Sequence, residues 1–377
     1  MFRILHTADL HIGMPATGLG EAGQKVREAR LKSLEKLLGI ANDVDAQAIL
    51  IAGDVFDDNQ VDAAQVEKTA GLLNDKTRLP TYIIPGNHDP YTRDSVYRRG
   101  VWDQLRDHVH VLTEAKSVEL LEGVALYPCP LSRKHGFEDP TTWIPPRDGE
   151  QIRIGLAHGS MSIRPGVGDD DFPIPLNTTE AKGLDYLALG HWHSRLSYPC
   201  DASDARTWYS GSHEATKFGK PDSGTVLSVA IEGPGVSPKV DAIDCGTLTW
   251  RDWPIDLSTQ SLEEVSRELR EMPDSKTTLL RLKLTGRTPA LENSTVADLV
   301  DAARGRFLAC QVDDSELMPA SIESGLDRLH GSPYLKQTAE ELEALAGGEV
   351  TSEEDVDPAT AKRALEILQE IAWRQSQ

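Results

Sequence analysis

The sequence predicts a mixed α/β protein: two packed sheets flanked by helices, then a small α/β unit and a helical tail. Three observations predict it. Up to residue 84, short apolar runs alternate with stretches of helical periodicity, the pattern of a parallel sheet with right-handed crossover helices. From about Ser117 the strand candidates lie closer together, which adds a second sheet. Near Gly246 the composition shifts, and a second strand–helix alternation begins.

Each element follows in chain order. Ile4-Leu5-His6-Thr7 reads as a strand, and Val26 to Ala41 as a helix with Leu31, Leu34, Leu37 and Leu38 on one face. Ala48 to Ala52 has no polar alternation, which marks a strand covered on both faces. A helix from about Asp62 to Asn74 and a strand at Thr81 to Ile84 follow, and Arg93 to Leu105 reads as helix-rich. Ser117 to Leu121 and Val124 to Tyr127 flank Glu122-Gly123 as a hairpin-like pair. Further strands are predicted at Ile152 to Ala157, Tyr186 to Leu189, Val226 to Ile231 and Lys239 to Ile243. Beyond Gly246, a strand around Trp250 and Trp253, a helix at Leu262 to Met272, a strand at Thr278 to Leu284, a helix at Val296 to Ala303 and a strand at Phe307 to Val312 form a βαβαβ unit. The tail after Pro333 is helical and acidic, broken by Gly347-Gly348 and the run Glu353-Glu354-Asp355. Asp357 and Pro358 suit the start of the last helix, whose apolar face is Ala361, Leu365, Leu368, Ile371 and Ala372. The expected domains are therefore 1–245, 246–332 and 333–377.

Composition narrows the class. A hydrophobic content of 39% with 26% charged residues is that of a soluble globular chain. No run approaches the ~18 apolar residues of a membrane span, and no secretory signal is visible at the N-terminus. Four scattered cysteines without paired spacing suit free thiols in a reducing cytoplasm. The net charge of −21 opposes a basic nucleic-acid grip by the chain's overall field.

Five short motifs each follow an apolar run: Asp9-Leu10-His11, Gly53-Asp54-Val55-Phe56-Asp57, Gly86-Asn87-His88-Asp89, His158 in Gly155 to Gly159, and Gly190-His191-Trp192-His193. They place two Asp, one Asn and five His at strand ends, where a parallel sheet gathers its ligands. In extended backbone, residues two apart point the same way, so Asp9 with His11 and His191 with His193 can each meet one ion. Turn chemistry explains Asn87 and Asp89 on its own, but not the histidine between them. Asp58 and Asp62 read as helix-start acids, and His6 as a core histidine. His108, His110, His135 and His330 read as surface or structural residues; His213, beside Ser210-Gly211-Ser212, falls between the two readings. Imidazole and carboxylate ligands without thiolate suit manganese, iron or zinc.

With these motifs in this order, the chain resembles the calcineurin-like metallophosphoesterases over roughly residues 1 to 245. Ile4 to His11, Asp185 to His191 and Tyr209 to Ser212 resemble the DNA repair nuclease branch, the SbcD-like subunits and their archaeal and eukaryotic meiotic-recombination counterparts. The unit from Gly246 to about Asp313 resembles, more loosely, their capping domain. The resemblance implies that Asp9, His11 and His193 hold one ion, that Asn87, His158 and His191 hold the other, and that Asp54 bridges both. It implies that His88 faces the scissile phosphate, oriented by Asp57, and that the ions are manganese. A coiled-coil SMC-like ATPase partner docked by the tail, DNA ends or single strands as substrate, and a homodimer through Tyr97, Val101, Trp102 and Leu105 are implied as well. Core packing is the alternative for those four side chains.

Two rival functions stand beside this one. A phosphodiesterase acting on nucleotides or other small esters fits the acidic balance better. A non-catalytic subunit of an ATPase complex would be expected to have lost ligands, and this chain has lost none.

Overall fold

The alternation of side chains along β-strands decides how this chain layers. In the computed structural model, which describes residues 1–161, 171–200, 202–220, 222–273, 275–288, 293–319, 333–348 and 356–375, the first half forms β1 (Phe2–Thr7), α1 (Ala22–Asp43), β2 (Ala48–Ala52), α2 (Ala63–Asp75), β3 (Thr81–Ile84) and β4 (Val109–Val111). Along these strands Leu5, Ile49, Ile51 and Ile83 face α1 and α2, packing on Leu34, Leu37, Val66 and Leu73. Their neighbours Ile4, Leu50 and Ile84 face the opposite way. Both faces are covered, which is why no polar residue interrupts Ala48–Ala52.

The second sheet supplies the other side of the sandwich. It is built from β5 (Val118–Leu121), β6 (Val124–Cys129), β7 (Ile152–His158), β8 (Tyr186–Gly190), β9 (Leu196–Tyr198) and β10 (Thr207–Tyr209), with α3 (Thr178–Lys182) between β7 and β8. Leu126, Ile154, Leu156, Tyr186 and Ala188 meet Ile4, Leu50, Ile84 and Leu227 in one core between the sheets. β11 (Thr225–Ile231) and β12 (Lys239–Asp244) return to the first sheet, whose order is β12-β11-β1-β2-β3-β4. The second sheet runs β5-β6-β7-β8-β10-β9. β1 to β4 are mutually parallel, as are β6, β7 and β8, while β11 is antiparallel to β1. The carboxyl ends of the parallel strands therefore open on one edge of the sandwich. Each buried Leu or Ile stabilises it by roughly 1.5–3 kcal/mol.

The chain divides into two compact units, Met1–Trp250 and Arg251–Gln377. The second contains all but the first two residues of β13 (Thr249–Asp256), with α4 (Leu262–Glu271), β14 (Thr278–Thr288), α5 (Asn293–Arg306) and β15 (Ala309–Pro319), in strand order β13-β14-β15. Trp253, Ile255, Val265, Leu269, Leu280, Leu282 and Phe307 form its core. Ser261 and Glu264 close a reciprocal capping box at the start of α4. Two tail helices, α6 (Pro333–Ala346) and α7 (Pro358–Gln375), pack on each other, and Asp357 caps α7 by accepting from Ala359 and Thr360. His330, the acidic run 353–355 and the side chain of Ala372 lie outside the described residues. No described helix is long and apolar enough to cross a membrane.

One segment departs from its sequence reading. Residues 93–105 hold two three-residue 3-10 turns, Val96–Arg98 and Trp102–Gln104, rather than a helix. Gly100 separates the turns and disfavours a continuous helix. Tyr97 is buried in the core beneath α1 and α2, with Val101 and Trp102 packed half-buried against it.

His6, inside β1, is a core residue: its Nδ1 accepts from the Tyr186 hydroxyl at 2.8 Å, and burial lowers its pKa to about 3. Protonation is thus easier in the unfolded chain, whose histidine titrates near 6.5. This contribution to stability is complete above pH 6.5 and is lost as pH falls toward 3, at up to about 1.4 kcal/mol per pH unit. Urea unfolding across this range should show a slope that includes this share, and His6→Gln should reduce it; an unchanged slope would count against the assignment.

Candidate metal centre

Five strand ends deliver the motif residues to one place. β1 leads into Asp9 and His11, β2 into Asp54, β3 into Asn87 and His88, β7 ends on His158, and β8 leads into His191 and His193. Asp9, His11, Asp54 and His191 all adopt positive φ, at 54°, 44°, 53° and 108°. Such backbone costs of order 1–3 kcal/mol per residue and persists only where the surroundings over-determine it. Here the first turn is stitched to the second: Asp9 N–H donates to Gly53 O, His11 N–H to Asp54 O and Ile12 N–H to Val55 O, at 2.9–3.1 Å. Gly53, at φ 87°, has to be glycine, since a Cβ there would collide with the His158 ring.

The side chains converge in overlapping groups. Asp9, His11 and His193 bring ligand atoms together, with His11 Nε2 3.0 Å from His193 Nε2. Asp9, Asp54 and His158 form a second group, and His11, Asp57 and His88 a third. Asp54 Oδ2 lies 3.3 Å from His158 Nε2 and 3.8 Å from His11 Nε2, between the two histidine clusters. Asn87 Oδ1 sits 2.8 Å from His158 Nε2 and 3.2 Å from His191 Nδ1. All nine residues singled out in the sequence are within this one assembly, which straddles both sheets.

Each imidazole also has a neighbour on the nitrogen that faces away from the cluster. His158 Nδ1–H donates to the Ala52 carbonyl at 2.8 Å, so its Nε2 is the atom presented inward. His11 Nδ1 is 3.2 Å from an Asp57 carboxylate oxygen, and His193 Nδ1 is 3.1 Å from Thr216 Oγ1. His191 Nε2 is 3.9 Å from the Asp171 carboxylate. Partners of this kind fix the tautomer and the ring plane, which is how histidines are prepared for a metal.

Asp57 differs from the expectation that its carboxylate would orient His88. The carboxylate is nearer His11, and lies 4.0 Å from His88 Nδ1. The Asp57 backbone carbonyl instead accepts from His88 Nδ1–H at 2.8 Å. The positive-φ turn from Asp54 brings the Asp57 main chain, rather than its side chain, beneath the ring.

The electrostatics favour divalent cations. Burial pushes the Asp9 carboxyl up to about 6, a desolvated anion in need of positive charge. Burial acts on Asp54 in the same direction, but His158, His11 and His88 overcome it and hold that carboxyl well below its usual range. Burial followed by His158 lowers His191 to about 3, and burial followed by His11 lowers His193 to about 2. Both rings are thus neutral, the form that can donate a lone pair to an ion. His158 resists burial because of Asp54 and is raised to about 9, so a positive charge at its Nε2 is favoured. The donor set therefore fits divalent metal ions.

Asp89 is a site residue that the sequence disguised as a turn former. It is fully buried, and its carboxylate accepts from Gly86 N–H at 2.8 Å, Phe56 N–H at 3.0 Å and the Tyr97 hydroxyl at 2.6 Å. It thereby ties the Asp54 turn to the Asn87–His88 turn. Thr216 and the Ala52 carbonyl carried no sequence signal. Trp192 packs away from the cluster, stacked on Tyr209. His213 is buried outside it, paired with the Arg30 carbonyl. His108 meets the Leu73 carbonyl, His110 stacks on Tyr82, and His135 is exposed. Asp62 caps α2 and Asp58 holds its own turn.

A two-sheet sandwich with clustered Asp, Asn and His at its strand ends defines a metal-dependent phosphoester hydrolase. The calcineurin-like phosphoesterase family matches residues 2–195, more than half of the 377, and the chain belongs to that family. Among solved structures, the chain is similar to TT1561 of Thermus thermophilus, at 13% identity over 65% of this chain and 99% of that one, TM-score 0.41. It is also similar to the calcineurin-like phosphoesterase YfkN from Bacillus subtilis, at 13% identity over 65% and 90%, TM-score 0.37.

Asp89→Asn would set an amide N–H against backbone donors, destabilising the fold by about 1–3 kcal/mol and weakening metal affinity by roughly 10–100-fold. Urea melts and manganese titration calorimetry read the two effects; full metal affinity in the variant would remove Asp89 from the site.

Proposed function

We propose that this chain is a two-metal, manganese-dependent phosphodiester hydrolase that cleaves DNA as the nuclease subunit of an SMC-like ATPase complex. The observation that carries the hydrolase reading is the placement of Asp54 Oδ2 between the His11 and His158 clusters. In this reading Asp9, His11 and His193 hold one ion, Asn87, His158 and His191 the other, and Asp54 is shared. Two ions so held would supply Lewis acidity and would bring the pKa of bound water toward neutrality. The donors, imidazole and carboxylate without thiolate, suit manganese.

The chain's own contribution beyond binding is His88. Its side chain is 36% exposed, against 1% for His11, 0% for His158 and 18% for His191. With Nδ1–H committed to the Asp57 carbonyl, Nε2 carries the exchangeable proton, and in the protonated ring that N–H is the donor to a phosphoryl or leaving-group oxygen. Asp57 serves this geometry through its carbonyl and serves His11 through its carboxylate.

The DNA and ATPase assignments rest on the resemblance of the motif-flanking stretches, on the α/β unit at 251–319 as a capping domain and on the amphipathic tail as a docking segment. A partner would supply the positive surface that a net charge of −21 denies this chain. Four free cysteines agree with a cytoplasmic location. A homodimer through residues 93–105 would use Val101 and Leu105, since Tyr97 is committed to the core. The same net charge favours the second reading, a phosphodiesterase for nucleotides or other small esters.

His88→Asn should lower kcat by about 10²–10⁴-fold while metal analysis still finds both ions; wild-type turnover in that variant would sink the assignment. Chelation should abolish hydrolysis, and manganese should restore it better than magnesium. With linear duplex, single-stranded DNA and a chromogenic phosphodiester offered in parallel, cleavage of the small ester alone would select the second reading.

A further inference from the structure

The two sides of the metal cluster are backed by different parts of the fold. His158 leans on the Ala52 carbonyl, and the Asn87 turn is held by Asp89. The His11 and His193 side is tied instead to one buried face of α1, which carries Arg30 and, a helical turn later, Ser33.

Arg30 is 2% exposed. Its Nη1 donates to the Met14 carbonyl at 3.2 Å and its Nη2 to Met14 Sδ at 3.0 Å, while Met14 N–H donates to the His11 carbonyl at 3.1 Å. The guanidinium thus closes the turn that carries His11. Its Nε has no hydrogen-bond partner among the described residues. Burial lowers the Arg30 pKa, and Asp57 and then Glu214 oppose that shift. Asp57 is the residue whose carboxylate lies 3.2 Å from His11 Nδ1. A buried charge persists where opposite charge surrounds it, so the guanidinium and these two carboxylates depend on one another.

Glu214 does for His193 what Arg30 does for His11. It is 1% exposed, and its Oε2 accepts from Ser33 Oγ–H at 2.7 Å, Thr247 N–H at 2.7 Å and Thr247 Oγ1–H at 2.8 Å. Its Oε1 accepts from Ala215 N–H at 3.0 Å. The carboxylate therefore fixes the segment from Ser212 to Thr216. Within that segment Ser212 N–H donates to the His193 carbonyl at 3.1 Å, and Thr216 Oγ1 is 3.1 Å from His193 Nδ1. His213 Nε2–H donates to the Arg30 carbonyl at 2.8 Å, which joins the two supports on α1.

We propose that Arg30 and Glu214 are positioning residues for one metal site alone, the one that Asp9, His11 and His193 would form, so that the two ions can be lost separately. The proposal rests on the two-metal reading of the cluster. Each residue acts through another: Arg30 through Met14 and Asp57, and Glu214 through Thr216. Asn87 and His158 draw on Asp89 and Ala52 instead.

The test counts manganese on the full chain by equilibrium dialysis and reads its state by electron paramagnetic resonance. The unmodified chain should take up both ions and show the spectrum of a coupled pair. Arg30→Met and Glu214→Gln should each weaken one ion by roughly 10–100-fold, the effect of removing an outer partner, and leave the other within about threefold. At a manganese level that fills both sites of the unmodified chain, these variants should show the spectrum of an isolated ion. Arg30→Lys keeps the charge without the fork and should recover part of the affinity. Adding His193→Asn to Arg30→Met should cost little further, whereas adding His158→Asn should strip the remaining ion. Urea unfolding of the metal-free variants separates these effects from a general loosening of the fold, which would weaken both ions together. Equal weakening of both ions, no weakening of either, or a loss that adds in full to that of His193→Asn would overturn the proposal. Hydrolysis of a chromogenic phosphodiester by the unmodified chain is measured separately; its absence, with both ions bound and one lost selectively in the variants, would remove the hydrolase reading and leave the two positioning residues standing.

Discussion

A single buried carboxylate, Asp54, sets the terms for everything around it. An isolated ionised group in a protein interior is prohibitively unfavourable unless charge and hydrogen bonds compensate it. Asp54 is 1% exposed, and its Oδ1 accepts from His88 N–H at 2.8 Å while Oδ2 faces His11 and His158. The turn that carries it has positive φ at both Gly53 and Asp54, and His11 N–H bonds to its carbonyl. Remove that carboxylate and His11 and His158 lose the charge they face, and the third turn loses its anchor.

Around it, polar groups are committed in pairs. Asp89 gives its acceptors to two turns and a tyrosine; His158 commits one nitrogen to the Ala52 carbonyl and His193 one to Thr216. The atoms left over are those that point inward. Pre-organisation here thus consists of outer partners that hold each ring, so that the remaining donor atoms meet one another in the cluster. His88 differs in exposure, with 36% of its side chain open to solvent against 1% for His11 and 0% for His158.

Much of this was legible in the sequence. Ala48–Ala52 and Thr81–Ile84 match their predicted strands because glycine or proline closes each run immediately after it. α1 begins at Ala22, earlier than the Val26 expected, because its first turn, Ala22-Gly23-Gln24-Lys25, carries no large apolar side chain to mark the periodicity. The three-residue strands β4, β9 and β10 are too short to carry any period. At the site, ligand candidates stood out because each sits in a tight turn where a polar residue follows an apolar run. Their outer partners did not: Ala52 is 106 residues from His158, and a backbone carbonyl has no sequence signature at all. Asp57 shows the same limit, since side-chain identity suggested a carboxylate contact where the chain's path supplies a carbonyl.

The straddling of the two sheets has a mechanical consequence. Asp9, His11, Asp54 and Asn87 follow strands of the first sheet, while His158, His191 and His193 belong to the second. Ions shared between these sets would act as staples across the seam of the sandwich, adding to the apolar contact and to the hydrogen bonds His6–Tyr186 and His158–Ala52 that already cross it. Affinity for metal and resistance to shear between the sheets are then one quantity seen from two sides, because whatever binds only the folded arrangement also stabilises it.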